Sequence, residues 1–169
     1  MVLSEPTTTL TDYVMAVQSL AQALLLMRAA RHATGEPRPA VGLYVAGFLM
    51  AALASFAGGT SHGFRSQLGD YWNPVWTLTV WSIVIAFILL IAAGIRSSLR
   101  PQVMDAPARH AGRVWLVWGF GLTAVGLAVL VARVSFHQHF NQNDLYHVIQ
   151  IGGLYGVYKG GKRLGGIED

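Results

Sequence analysis

The sequence YWNPVWTLTVWSIVIAFILLIAAGI, residues 71–95, contains no charged side chain and is rich in aliphatic and aromatic residues. A helix of about 20 apolar residues is long enough to cross the hydrocarbon core of a bilayer. The stretch therefore predicts a transmembrane helix. Two other uncharged stretches are of comparable length, since 26 residues separate Arg38 from Arg65 and 19 residues separate Arg113 from Arg133.

The composition of the whole chain agrees with a lipid environment. The protein has 169 residues, of which 53% are hydrophobic and 12% are charged, and its mean hydropathy is +0.45. A soluble domain carries about 25% charged residues, so the composition excludes nucleic-acid binders and soluble nucleotide-dependent enzymes. The chain contains no cysteine, which excludes disulfide frameworks, thiolate zinc sites, iron–sulfur clusters and thioether-linked haem.

Two shorter uncharged stretches, after Asp12 and after Asp144, predict two more helices that carry these aspartates in their outer turns. We therefore predict an all-α integral membrane protein, a single domain of five transmembrane helices. Their predicted ranges are 10–31, 40–60, 72–95, 112–134 and 142–160.

The distribution of basic residues predicts the orientation of these helices. With the N-terminus outside, the inner segments hold all of the Lys and Arg residues except Arg65 and Arg133. Cytoplasmic loops of membrane proteins carry an excess of Lys and Arg. We therefore predict an external N-terminus and a cytoplasmic C-terminus.

This topology brings polar side chains to the outer ends of three helices. Asn143, His147 and Gln150 share one face of the last helix, because they are spaced at i, i+4 and i+7. Asp12 lies near the start of the first helix, and His62 lies at the end of the second. Polar groups that face lipid are costly, so we predict that these side chains face one another in a polar pocket.

Each of these residues also has a structural explanation. Asp12 and Asp144 fit the spacing of helix-capping acids, and Ser55 could bond to a carbonyl of its own helix. His147 could serve only to bond a neighbouring helix, and His139 could be a solvated loop residue. These alternatives remain open at the level of the sequence.

Histidine and carboxylate side chains are the ligands of cysteine-free zinc sites. His62 and His147, with Asp12 or Asp144 as third ligand or general base, would complete such a site. Bound zinc lowers the pKa of its water to about 7, which makes hydroxide available to attack an ester or amide carbonyl. The same histidines could instead ligate a haem or a chlorophyll-type pigment.

The block FNQNDLYHVIQ, residues 140–150, and the sequence SHGF, residues 61–64, resemble an uncharacterised family of small bacterial multi-pass membrane proteins. In that family an F-N-x-N-D-L-[FY]-H-x-x-Q block opens the last helix, and an H-G-F sequence ends the second. The resemblance covers essentially the whole chain by helix order. It implies the same helical fold in a bacterial plasma (inner) membrane, and it carries no established activity.

More remotely, the helix layout is similar to the CREST superfamily of membrane hydrolases, which includes alkaline ceramidases and progestin/adiponectin-type receptors. This resemblance implies a zinc site with His62 and His147 as ligands and with Ser55 or Ser61 as the serine. The chain departs from the family's H-x-x-x-H pattern, because Asn143 stands at the first histidine position. The third ligand would then come from His139, Asp144 or Asp12.

Two hypotheses follow from the sequence. The first is a zinc-dependent hydrolase of lipid amides or esters, which acts on membrane lipid at an outer-face pocket. The second is a non-catalytic accessory or scaffolding subunit of a larger membrane complex, which holds a haem or pigment through His62 or His147. For the first hypothesis, the candidate catalytic residues are Asp144, Asp12, Ser55 and Ser61, the candidate metal ligands are His62, His147 and His139, and the further pocket residues are Asn143 and Gln150.

Overall fold

The computed structural model describes residues 3–32, 39–99, 106–137 and 140–167, and these are helical almost throughout. Five long helices are present, as predicted, together with one short helix and a 3₁₀ turn at residues Gly69–Tyr71. The helices are α1 (Pro6–His32), α2 (Pro39–Gly63), α3 (Arg65–Leu68), α4 (Trp72–Leu99), α5 (Ala106–Val131) and α6 (Gln142–Leu164).

Four segments are long and apolar enough to cross a membrane. They are Pro6–Arg31, Ala40–Gly63, Arg65–Leu99 and Ala106–Val131. These four match the first four predicted helices, although α1 begins at Pro6, four residues before its predicted start, because proline suits the first position of a helix. The fifth predicted span forms helix α6. Because α6 contains many polar residues and glycines, it is not among the four described segments that are apolar enough to cross a membrane.

The two ends of the bundle are defined by contacts between helices. At one end, which we call the Glu5 end, Glu5 lies beside His62, and Thr8 of α1 donates to Asp144 of α6. At the other, which we call the Tyr44 end, the buried Tyr44 hydroxyl bonds Ser97 of α4 at 3.1 Å. Each long helix therefore runs the length of the bundle, and α1, α4 and α6 run in the same direction.

Helix α6 is the least apolar of the long helices, yet it is packed against α5 along its length and also contacts α1, α2 and α4. Glycines allow this close packing. A Cβ added to Gly156 would lie 2.8 Å from the Cα of Gly119, and one added to Gly119 would lie 2.5 Å from the backbone nitrogen of Val157. The polar helix is therefore shielded by its neighbours, with α5 almost in backbone contact.

Neighbouring helices follow the order α4, α2, α1, α6 and α5, and the two outer members of this series, α4 and α5, touch each other little. Their contacts lie toward the Tyr44 end, where Gly94 faces Phe120 and Arg113 donates to the carbonyl of Ser98 at 2.9 Å. Toward the Glu5 end a cavity lies between them. The bundle is thus closed on one side and open between α4 and α5 on the other.

Candidate functional site

The cavity near the Glu5 end has a volume of about 300 Å³ and is bounded by all five long helices. Much of its wall is apolar and comes from α4 and α5, for example Val80, Ile83, Phe87, Leu127 and Leu130. Polar side chains from α1, α2 and α6 also line it, namely Asp12, Ser55, His62, Asn143, His147 and Gln150. Every one of these six was a candidate from the sequence.

The closest polar contact across the cavity wall joins α1 to α6. Nε2 of His147 lies 3.4 Å from Oδ1 of Asp12, and Nδ1 of His147 lies 3.0 Å from the hydroxyl of Thr11. Both ring nitrogens of His147 are therefore engaged. In the tautomer protonated on Nε2, that nitrogen can donate to Asp12, and Nδ1 accepts from Thr11. The Thr11 hydroxyl has one proton, which otherwise goes to the backbone carbonyls of Thr7 and Thr8.

Asp144 caps helix α6 and does not line the cavity. Its Oδ2 accepts from the backbone nitrogen of Asn141 at 2.8 Å, and the side chain of Asn141 accepts from the backbone nitrogens of Asn143 and Asp144. This reciprocal arrangement is a capping box. Because Oδ1 accepts from Thr8 at 2.8 Å, both oxygens are used, and the capping explanation of Asp144 is confirmed.

The capping explanation of Asp12 is wrong. Helix α1 begins at Pro6, so Asp12 lies in its second turn, beyond the amides that a cap would serve. Thr9, three residues before Asp12 and so at the position that the capping spacing requires, donates to the carbonyl of Glu5 at 2.7 Å. Asp12 is buried and turned toward α6, which identifies it as an interior side chain.

His62 and the two candidate serines have different surroundings. Nδ1 of His62 lies 3.2 Å from Oε2 of Glu5, and its ring packs edge-on against Trp76. Ser55 is buried in the cavity wall. Ser61 is buried away from the cavity, and its carbonyl accepts from the indole of Trp72.

The predicted zinc set does not come together in the part of the chain that the structure describes. No group of three His, Asp or Glu side chains that could hold a metal ion occurs there, and His139 lies outside the described residues. For His147 to ligate a haem, one of its ring nitrogens would have to give up its contact with Thr11 or Asp12. Zinc, haem and pigment binding therefore remain predictions, with Asp12 and His147 as the two candidate ligands that lie in contact.

Among the described residues, two polar atoms of the cavity wall have no hydrogen-bond partner: Oδ2 of Asp12 and Oε1 of Gln150. Their side chains are only 3% and 5% exposed. Buried polar groups normally find a partner, from protein, water or ligand. When Asp12 is ionised, both atoms are acceptors, and no Lys or Arg lines the cavity in the described residues, so this end is then suited to a group that donates hydrogen bonds.

Sequence reasoning missed Glu5 and the apolar walls. Glu5 lies before the predicted start of the first helix, and only its position next to a helix start could have drawn attention to it. Phe87, Leu127 and Leu130 line the cavity, but an apolar residue that faces a cavity has the same sequence pattern as one that faces lipid. No signal in a single sequence separates the two.

The fold and the site together define a small helical protein with four helices long and apolar enough to cross a membrane and with a cavity that is polar on one side. The chain belongs to a family of unknown function, DUF6962, whose pattern matches residues 7–107 and 103–165. No curated protein and no solved structure matches the chain. The comparisons thus assign the chain to a family of unknown function. They show no similarity to the CREST hydrolases.

Proposed function

We propose that this protein lies in a membrane and binds one amphipathic, lipid-like molecule in its cavity. The polar group of that molecule contacts Asp12 and Gln150, and its chain lies between α4 and α5. The observation that carries the proposal is a cavity with a largely apolar wall, whose polar side holds two buried acceptors without partners.

The position of the cavity supports entry from the bilayer. Val80 of α4 and Leu127 of α5 line the cavity, yet they are also 42% and 53% exposed at the surface. These residues therefore lie at an opening between the two helices, in a part of the bundle that is apolar outside as well as inside. A molecule dissolved in the hydrocarbon could enter there without crossing a layer of water.

The size and chemistry of the cavity support a small amphipathic ligand. Ligand pockets are typically about 300–1,000 Å³ and mostly apolar, with a few placed polar groups, and this cavity of about 300 Å³ lies at the lower limit. It therefore has room for a small head group and the first part of a chain. A longer chain would extend through the opening between α4 and α5.

Binding is better supported than metal-dependent hydrolysis. The hydrolase hypothesis needs three metal ligands around one point, and the described residues supply the contact between Asp12 and His147 but no third ligand. The binding hypothesis needs only the acceptors and the apolar wall, which are present. An accessory subunit of a larger complex remains compatible with it, since such a subunit could also hold a lipid-like molecule.

Photolabelling tests the proposal. The protein, in phosphatidylcholine nanodiscs, is exposed to a decyl alcohol with a terminal diazirine, and labelled residues are mapped by mass spectrometry. We expect labels on the cavity walls of α4 and α5, near Phe87 and Leu130. We also expect unlabelled decanol to compete for this labelling.

Two alanine substitutions on α2 provide a matched pair for this experiment. Ala54→Leu places added volume in the cavity wall, because Ala54 is buried and lines it, whereas Ala52→Leu lies outside the cavity. We expect Ala54→Leu to abolish the cavity labels and Ala52→Leu to retain them. Labels spread over the lipid-facing surface, equal in both variants and insensitive to decanol, would refute the binding function.

A further inference from the structure

We propose that the molecule bound in the cavity carries a primary amine, which donates hydrogen bonds to Oδ2 of Asp12 and Oε1 of Gln150. This inference rests on the proposed binding function and specifies the chemical class of the ligand. It is carried by the two unpartnered acceptors on the cavity wall and by the absence of Lys and Arg from the cavity lining in the described residues.

The charge around the cavity disfavours an anionic head group. A carboxylate or phosphate would bring acceptor oxygens against the acceptors of Asp12 and Gln150, with no Lys or Arg of the cavity lining to balance the charge. His62, the second histidine of the wall, already lies beside Glu5. The head group is therefore a neutral or cationic donor.

The number of acceptors distinguishes an amine from an alcohol. A hydroxyl donates one hydrogen bond, so it leaves one of the two acceptors without a partner, whereas an ammonium group donates three. Two of these would satisfy Asp12 and Gln150, and the third could reach an oxygen of Ser55 or Asn143, which line the same cavity. Buried acceptors left without a partner are costly, so the amine is the better match.

The contact with His147 leaves Asp12 free to bind this group. When His147 carries its proton on Nε2, it faces Oδ1 of Asp12 as a donor, and Oδ2 is left without a partner in the cavity wall. A charge inside a membrane protein is normally paired. The carboxylate of Asp12 is the group that would pair with the ammonium.

Equilibrium binding of four probes with the same chain tests the inference: n-decylamine, n-decanol, n-decanoate and n-decyltrimethylammonium. Binding to the protein in phosphatidylcholine nanodiscs is followed by tryptophan fluorescence, because Trp76 lines the cavity. Empty nanodiscs correct for partition into lipid. We expect decylamine to bind at least about tenfold more tightly than each other probe, as hydrogen bonds to charged groups imply.

Variants separate the head-group interaction from general effects on the fold. We expect Asp12→Asn to weaken decylamine binding at least about tenfold and to weaken decanol binding by a smaller factor. Gln150→Glu should strengthen decylamine binding. Asp70→Asn, which removes an exposed carboxylate outside the cavity, is the matched control and should leave both affinities unchanged. Thermal unfolding of each variant verifies that it is folded.

The outcomes distinguish this inference from the proposed function. Equal affinities for decylamine and decanol, with no selective effect of Asp12→Asn, would overturn the amine and leave the binding function intact. Binding of decyltrimethylammonium as tight as that of decylamine would overturn hydrogen-bond donation, because that cation has no N–H group. If no probe binds and the photolabel finds no cavity residue, the proposed function itself fails.

Discussion

Asp12 of α1 and His147 of α6 meet inside the bundle, with Oδ1 and Nε2 3.4 Å apart, although they come from opposite ends of the chain. The same two helices are joined on either side of this contact. Thr8 donates to Asp144 at 2.8 Å, and Nε2 of Gln18 donates to the carbonyl of Ile151 at 2.9 Å. Polar contacts of this kind hold helices together in lipid, where the hydrophobic effect does not.

Removal of either partner of the Asp12–His147 contact should destabilise the bundle. His147→Leu leaves Asp12 without its partner and Asp12→Leu leaves His147 without one, so each should lower the free energy of unfolding by about 1–2 kcal/mol. Thr11 keeps its backbone acceptors in both variants. Unfolding in detergent, titrated with sodium dodecyl sulfate, measures these changes.

The double variant tests whether the two side chains interact directly. Loss of both partners leaves no buried polar group alone, so Asp12→Leu/His147→Leu should cost at least about 0.5 kcal/mol less than the sum of the two single changes. His110→Leu, at an exposed position of α5, is the control. Strict additivity would contradict a direct contact.

The close approach of α5 and α6 predicts opposite effects at two glycines. Gly156→Ala should lower the free energy of unfolding by about 1–3 kcal/mol, because the new Cβ would lie 2.8 Å from the Cα of Gly119, and backbone cannot easily move away. Gly121→Ala, on α5 with open space around it, should be neutral or slightly stabilising. Equal effects of the two changes in the same unfolding assay would contradict this packing.

The absence of native cysteine allows single-cysteine variants to test the topology. With an external N-terminus, Ser66→Cys and Ser135→Cys at the Glu5 end should react with a membrane-impermeant maleimide in intact cells. His110→Cys and Arg163→Cys, at the Tyr44 end, should react only after permeabilisation.

The same labelling tests whether helix α6 crosses the membrane. Its packing along the whole of α5 places Ser135 and Arg163 at opposite ends of the bundle. If both positions react from the same side of the membrane, α6 does not span it. If all four accessibilities are exchanged, the orientation predicted from the basic residues is wrong.

Metal analysis tests the zinc hypothesis. Because the described residues form no group of three His, Asp or Glu ligands, we expect the purified protein to contain well below one zinc per chain. Mass spectrometry with inductively coupled plasma measures this, with an unrelated histidine-free membrane protein purified alongside. A stoichiometric zinc that His147→Ala removes would restore the hydrolase hypothesis.

Much of the fold could be predicted because its causes are local. Uncharged stretches such as residues 71–95 specify apolar helices by their length alone, and the spacing of Asn143, His147 and Gln150 specifies a polar face once the segment is helical. All three residues line the cavity. Local patterns also explain the cap at Asp144, since Asn141 precedes it by three residues.

The role of Asp12 and the pairing of His62 could not be predicted in the same way. The sequence spacing of Asp12 is compatible with a cap, and only the observed start of α1 at Pro6 excludes it. His62 lies beside Glu5 rather than in a metal set, because side-chain partners on different helices depend on how each helix is rotated and how it crosses its neighbours. The periodicity of one helix contains no information on these quantities.

The sequence by itself determined that the chain forms long apolar helices and that the last helix carries a polar face, because length, charge and periodicity act within a segment. Only the tertiary structure decided that α4 and α5 stay apart near the Glu5 end and that an apolar cavity opens between them. It also decided that, among the described residues, Asp12 and Gln150 of the cavity wall each keep a buried polar atom without a partner. The physical reason is that a gap and an unpartnered atom depend on what the surrounding helices leave unfilled.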